Sequence, residues 1–306
     1  MALSDVATTF RSAIPSALGQ GAPAVRVAVL DGVVDATHRC FIGADLRPLD
    51  TLAGQAAAGN LSADGTYTAS LIFGQPGTPV EGVAPRCRGL SVPIFAGGGM
   101  RCSELELARA IRLAIKHGAQ IIHIGDGAFA RCGELHPVLK DALADCIREN
   151  VLIVTAAGSE GLDLLGTAAR AVLVVDALSE DGHPLLPAEP SWRTETVLAP
   201  GAHVSGATLQ GGVVARSGAR SAAPLVSAFA ALLLSHQIKL GAQPNPYAVR
   251  EALLESAVRC TPSGSVRVSL QGAIDHVVSA IETEGEAERL LDRVGLASNV
   301  LRAARP

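Results

Sequence analysis

A chain of 306 residues, 48% apolar and only 18% charged, has material for one large α/β domain or two small ones and too few charges for long disordered segments. Its formal net charge is −4 and its Lys and Arg residues are scattered along the sequence, which excludes nucleic-acid binding through a basic stripe. Aromatic residues make up 3%, so Val, Leu, Ile and Ala must fill the core, as in buried parallel strands under Ala-rich helices.

In chain order, Met1 to Ser16 carries an early Asp5 and no apolar run of signal-peptide length, and no later stretch reads as a membrane span. The expectation is a cytoplasmic protein without a membrane partner, opening with an N-terminal arm over residues 1–21. Strand-type runs then follow at Val25 to Leu30, Gly89 to Phe95, Gln120 to Ile124, Val151 to Thr155 and Ala171 to Asp176, each bounded by turn residues. Helical periodicity lies between them, over Cys102 to His117 and His136 to Arg148, with Ser103 and Glu106 spaced as a capping box and Gly118 at a helix stop. Alternation of this kind predicts an α/β fold, a mostly parallel, doubly wound sheet with helices on both faces. Ala222 to His236 reads as a buried small-residue helix, Pro246 to Ala257 as a shorter amphipathic one, and Ile281 to Ala303 as a charged amphipathic helix. The domain is expected over 22–260, with 261–306 as an extension.

Cys40, Cys87, Cys102, Cys132, Cys146 and Cys260 form no CxxC pair and have no His at ligand spacing, so neither a metal nor a cofactor is expected. Buried free thiols are the expected state, Cys40 and Cys87 being the pair to test for a bridge.

Four segments carry a family likeness. Val29-Leu30-Asp31-Gly32-Val33-Val34-Asp35 resembles the first signature of the subtilases, whose Asp orients the catalytic His. Where that family has His-Gly-Thr-His at the start of a helix, this chain reads Asp64-Gly65-Thr66-Tyr67; where it has the oxyanion Asn, the chain has Ser159 after Ala156-Ala157-Gly158. Ser217-Gly218-Ala219-Arg220-Ser221-Ala222-Ala223-Pro224 has the spacing of the nucleophile segment, with Arg220 at the position of the catalytic Ser. Further stretches, among them Val80 to Gly89 and Val92 to Phe95, resemble the PatA/PatG-type cyanobactin maturation proteases, a likeness over roughly residues 22–260. The resemblance implies a subtilisin-like three-layer fold. It also implies edge strands for an extended peptide at Gly97, Gly98 and Gly99 and at Gly125, Asp126 and Gly127, glycines letting a second backbone approach.

Acyl transfer by this route needs a hydroxyl, an imidazole, an orienting carboxylate and oxyanion donors. Of these, the resemblance leaves Asp31. Ser221, one residue beyond the nucleophile position, points about 100° away on a helix, and His38 reads as a structural histidine. Asp64 and Arg220 are expected to form a salt bridge that Asp31 shares. The leading expectation is a catalytically inactive subtilisin-like pseudoprotease that binds a precursor peptide or a partner enzyme during maturation of a ribosomally made peptide. The alternatives are a peptidase or ligase using Ser221, and a structural subunit that supports an active paralogue in a homo- or hetero-oligomer through its tail, Glu284 to Arg302.

Overall fold

The computed structural model describes residues 6–52, 59–95, 101–125, 128–130, 135–157, 169–185, 196–260 and 266–293. Ser159, Gly97, Gly98, Gly99, Asp126, Gly127 and Cys132 lie outside them.

Within the described residues the main sheet has the order β12-β13-β9-β8-β7-β5-β1-β3-β2. The five strands expected from β-branched runs form its centre: β1 (Arg26–Asp31), β3 (Arg88–Pro93), β5 (Ile121–Ile124), β7 (Leu152–Ala156) and β8 (Val172–Leu178). Sequence reading missed the flanking β2 (Leu46–Pro48) and β9 (Thr196–Pro200), which end in proline, and the two-residue strands β12 (Val258–Arg259) and β13 (Val266–Arg267). Short segments with Pro are where an apolar-run criterion fails. Only β12 and β13 pair antiparallel within this sheet; the other ladders are parallel. Two separate two-stranded ladders join β4 (Arg101–Ser103) to β6 (Ala128–Ala130) and β10 (Val204–Ala207) to β11 (Val213–Arg216).

Alternation along each strand divides the core in two. Val27, Val29, Ile121, Leu152, Val154, Leu173 and Val175 face one layer, built with the helices α2 (Gly59–Phe73), α5 (Ala219–Lys239) and α6 (Pro246–Glu255). Ala28, Leu30, Leu90, Val92, Ile122, Ile124, Ile153, Val172 and Val174 face the other, under α3 (Glu104–Lys116) and α4 (Pro137–Arg148). Both sheet faces are therefore covered, and strands that looked like continuous apolar runs are buried on both sides. The expected capping box forms: Ser103 Oγ accepts from the Glu106 N–H at 3.2 Å while the Glu106 carboxylate accepts from the Ser103 N–H at 2.9 Å.

Helix α5 is long and apolar enough to cross a membrane, contrary to the reading that no stretch is. It is nonetheless enclosed, with Ala222 through Leu234 all buried, so its apolarity belongs to the core. Before the sheet, α1 (Val6–Ala13) packs Ala7 and Phe10 into the core and joins Arg11 to Glu81. After it, α7 (Leu270–Arg293) starts eleven residues earlier than the helix expected at Ile281 and buries Ala273, Ile274 and Val277 on the same body. Cys40, Cys87, Cys102 and Cys146 are buried free thiols, as expected, and Cys260 is partly exposed.

Candidate functional site

Strand order reverses at β1: the chain goes outward to β3 and β2 on one side and to β5, β7 and β8 on the other. The carboxyl ends of β1 and β5 therefore flank the topological switch point, where open α/β sheets form their ligand crevice. Asp31 is the last residue of β1 and lies on the same face as Val27 and Val29, towards α2 and α5. Asp64 and Arg220, which the family likeness singles out, line the crevice there with it.

Asp31 is 2% exposed. Its Oδ1 accepts from the Gly32 N–H at 2.7 Å and its Oδ2 from the Thr68 hydroxyl at 2.9 Å. Burial outweighs these bonds and pushes its pKa up to about 7; Asp64 raises it further, and Arg220 draws it down. Gly125, directly after β5, closes the crevice wall: a Cβ there would lie 2.2 Å from Asp31 Oδ2. Of the expected peptide edge 125–127, this glycine is the part within the described residues, and the approach that it permits is to Asp31.

Asp64 lies in the second turn of α2 and Arg220 in the first turn of α5, facing the same small cavity of ≈ 20 Å³ together with Asp31, His123 and Tyr67. The ion pair on Asp64 is made by Arg216, at 2.5 Å, in place of the expected Arg220. Arg216 ends β11, four residues upstream of Arg220, and its guanidinium also sits 4.7 Å from the centre of the Tyr67 ring. The motif spacing points to Arg220 alone; the fold brings Arg216 onto Asp64. Arg220 instead acts on Asp31 through its charge. A space of this size holds about one water molecule, so the floor of the crevice is filled by Arg216, Tyr67 and their partners.

Tyr67 replaces the second His of the family signature and is 2% exposed. Its hydroxyl lies 2.8 Å from the Val204 carbonyl and 2.9 Å from Ser221 Oγ. Ser221 is itself 1% exposed and turned into the body. Replacing Tyr67 by Phe leaves the Val204 carbonyl and the Ser221 hydroxyl without this partner in a buried site. The expected loss is about 1–3 kcal/mol in urea unfolding, with no gain of hydrolytic activity.

Two histidines complete the picture. His38, read as structural, is buried with Nδ1 3.0 Å from Cys40 Sγ and Nε2 3.0 Å from the Gly212 carbonyl. His123 was not singled out from the sequence, where it hides inside the apolar run Ile121-Ile122-His123-Ile124. It points from β5 towards α5, with Nδ1 2.9 Å from Ser227 Oγ, and burial pushes its pKa down to about 3. Such an imidazole stays neutral at physiological pH and takes up a proton poorly. Among the described residues, no three His, Cys, Asp or Glu side chains converge as ligands for a metal ion.

Comparison with known proteins agrees with this architecture. The profile of the subtilase family matches residues 23–295. The protease domain of PatA, solved as a point mutant, superposes with a TM-score of 0.78 at 42% identity, covering 85% of this chain and 98% of that one. The prenylagaramide maturation protease PagA gives 0.76 at 38% identity (89% and 98% covered), and the PatG macrocyclase in complex with peptide gives 0.75 at 27% (87% and 96%). A thermophilic serine proteinase of Bacillus sp. (strain AK1) is 25% identical over 249 residues, and a subtilisin-like protease of Coccidioides posadasii (strain C735) is 29% identical over 227. These alignments take in 80% and 71% of this chain but only 59% and 53% of the two proteins, so the chain spans little more than half the length of the curated relatives it matches. On the strength of the profile match and of a sheet that places Asp31 at its switch point, the chain belongs to the subtilase family, as a subtilisin-like domain related to the cyanobactin maturation proteases.

Proposed function

We propose that this domain is a pseudoprotease: it binds a peptide, or an enzyme that handles one, in the maturation of a ribosomally made peptide, and does not itself break peptide bonds. The observation that carries this reading is the Asp64–Arg216 ion pair beside Asp31. In an active subtilase an imidazole at the position of Asp64 would take the proton of a serine at the position of Arg220, and here those positions hold a carboxylate and a guanidinium. The guanidinium offers neither a nucleophilic hydroxyl nor a base, and the Asp64 carboxylate, which could in principle take a proton, is held by Arg216 while the nearby Ser221 hydroxyl is bonded to Tyr67. Ser159, at the position of the oxyanion Asn, removes an amide donor. Loss of triad members costs factors on the order of a million in turnover, and loss of the oxyanion donor about a hundred or more.

The neighbouring groups do not replace them. Ser221 shares its hydroxyl with Tyr67 inside the body, and His123 is tied to Ser227 and resists protonation. The reading of a peptidase or ligase that uses Ser221 has little geometric support. The structural-subunit reading rests on the C-terminal helix, whose first half packs Ala273, Ile274 and Val277 on its own domain. The buried free thiols of Cys40, Cys87, Cys102 and Cys146 suit the reducing cytoplasm.

PatG was solved with a peptide bound, and the peptide is the natural ligand class to try first. A panel of precursor peptides followed by mass spectrometry, with fluorescence anisotropy for binding, separates the readings. The expected outcome is binding without cleavage or ligation. Turnover that disappears in Ser221→Ala would replace this reading with the enzymatic one.

A further inference from the structure

At the opposite, amino end of the central strands the fold gathers cations that the sequence scatters. Arg26 and Arg88 are register partners on β1 and β3, and Arg47 on β2 is the partner of Leu90. Partners in a parallel ladder, and residues two apart on a strand, share one face, so all three guanidiniums leave the sheet on the side of α3. That helix ends at the same place with Lys116 and His117. These side chains, with Asp45, line an open concavity of ≈ 540 Å³. Arg26, Arg88, Arg47 and Lys116 carry four positive charges there, against the single negative charge of Asp45, in a protein whose net charge is −4. Asp45 is already engaged by Arg88 at 2.9 Å.

Like charges directly opposite each other on neighbouring strands oppose folding. The negative C-terminal end of α3 accounts for Lys116, but not for three arginines on three strands. The concavity is of the size that holds a small molecule. It is too short for the phosphate track of a duplex, which the overall negative charge would also repel. Guanidiniums grouped with an ammonium match the fork geometry and charge of phosphate groups. We propose that this concavity is a binding site for a small free polyanion carrying adjacent phosphate groups, separate from the crevice at Asp31 and independent of whether that crevice is catalytic.

Inorganic pyrophosphate is the probe, titrated into the full chain by calorimetry and by thermal unfolding, against sodium chloride at matched ionic strength. Binding is expected to raise the unfolding temperature with ligand concentration and to weaken with added salt. Arg47→Ala combined with Lys116→Ala alters two exposed side chains and should weaken pyrophosphate at least tenfold. Asp45→Asn, which removes the competing carboxylate and frees Arg88, should tighten it. Three outcomes would each overturn the proposal: no response beyond that to chloride, a response unchanged in the double variant, or affinity for a glutamate-rich peptide with none for pyrophosphate.

Discussion

Alanine in place of Gly65 is expected to destabilise the domain by about 3 kcal/mol or more in urea unfolding, although the same change inside a helix ordinarily gains about 1 kcal/mol. Gly65 lies in α2 against the turn that leaves β1, and a Cβ there would stand 2.1 Å from the Gly32 carbonyl oxygen. From the other side, a Cβ on Gly32 would stand 1.9 Å from the Leu61 carbonyl oxygen. The two glycines form one contact of backbone on backbone, and a backbone cannot swing aside as a side chain does. This contact brings Thr68 and Asp64 within range of Asp31, so a displaced α2 should also undo the crevice. Gly65→Ala that unfolds like the wild-type chain would mean that α2 does not sit on the β1 turn as described.

A second large effect concerns pH. In the unfolded chain Asp31 titrates near 3.8, and in the folded one near 7. Between those values the folded state holds a proton that the unfolded state has lost, so this group's contribution to stability falls as pH rises and is fully lost above 7. His123 does the reverse. Its pKa drops from 6.5 to about 3, the unfolded state takes the proton first, and its contribution rises with pH up to 6.5. Over pH 4 to 6.5 the two largely cancel, so the wild-type profile alone is uninformative. Asp31→Asn separates them: its Oδ1 can still accept from Gly32, and the Thr68 hydroxyl can turn to accept from the amide. Relative to wild type, the variant should gain on the order of 4 kcal/mol between pH 4 and pH 8, at about 1.4 kcal/mol per pH unit. Denaturant melts of both proteins at each pH provide the comparison, and parallel profiles would show that Asp31 is ionised throughout.

A catalytic triad needs its aspartate ionised, to hold an imidazole and balance its charge. Among the described residues no imidazole is hydrogen-bonded to Asp31, its bonds come from the Gly32 N–H and the Thr68 hydroxyl, and the positive charge of Arg220 acts on it. The residue type is that of an active subtilase, but the surroundings no longer favour its charged form.

Much of this was legible because local chemistry settles it. The strands ending at Asp31, Pro93, Ile124 and Ala156 are buried on both faces, so each reads as a short, mostly apolar run without need of its partners. Ser103 and Glu106 lie three apart and cap their own helix. Asp31, Asp64 and Arg220 could be named because their surrounding motifs keep the family's spacing. The partner of Asp64 could not, because Arg216 reaches it across 152 residues of chain and no motif marks it, whereas Arg220 stands in the nucleophile segment. Likewise, His123 looks like an interruption of a strand until β5 is set beside α5. Nor could the Arg26, Arg47 and Arg88 grouping be seen, since it exists only through the parallel register of β1, β2 and β3.

The most direct test of the central claim is the intact mass of the folded protein after exposure to a fluorophosphonate, which phosphonylates a serine only where a base activates its hydroxyl. With Ser221 held by Tyr67 and a guanidinium at position 220, the mass is predicted to stay unchanged under conditions that fully label an active subtilase. A stoichiometric adduct mapping to Ser221, or to any serine lining the crevice, would contradict the pseudoprotease account.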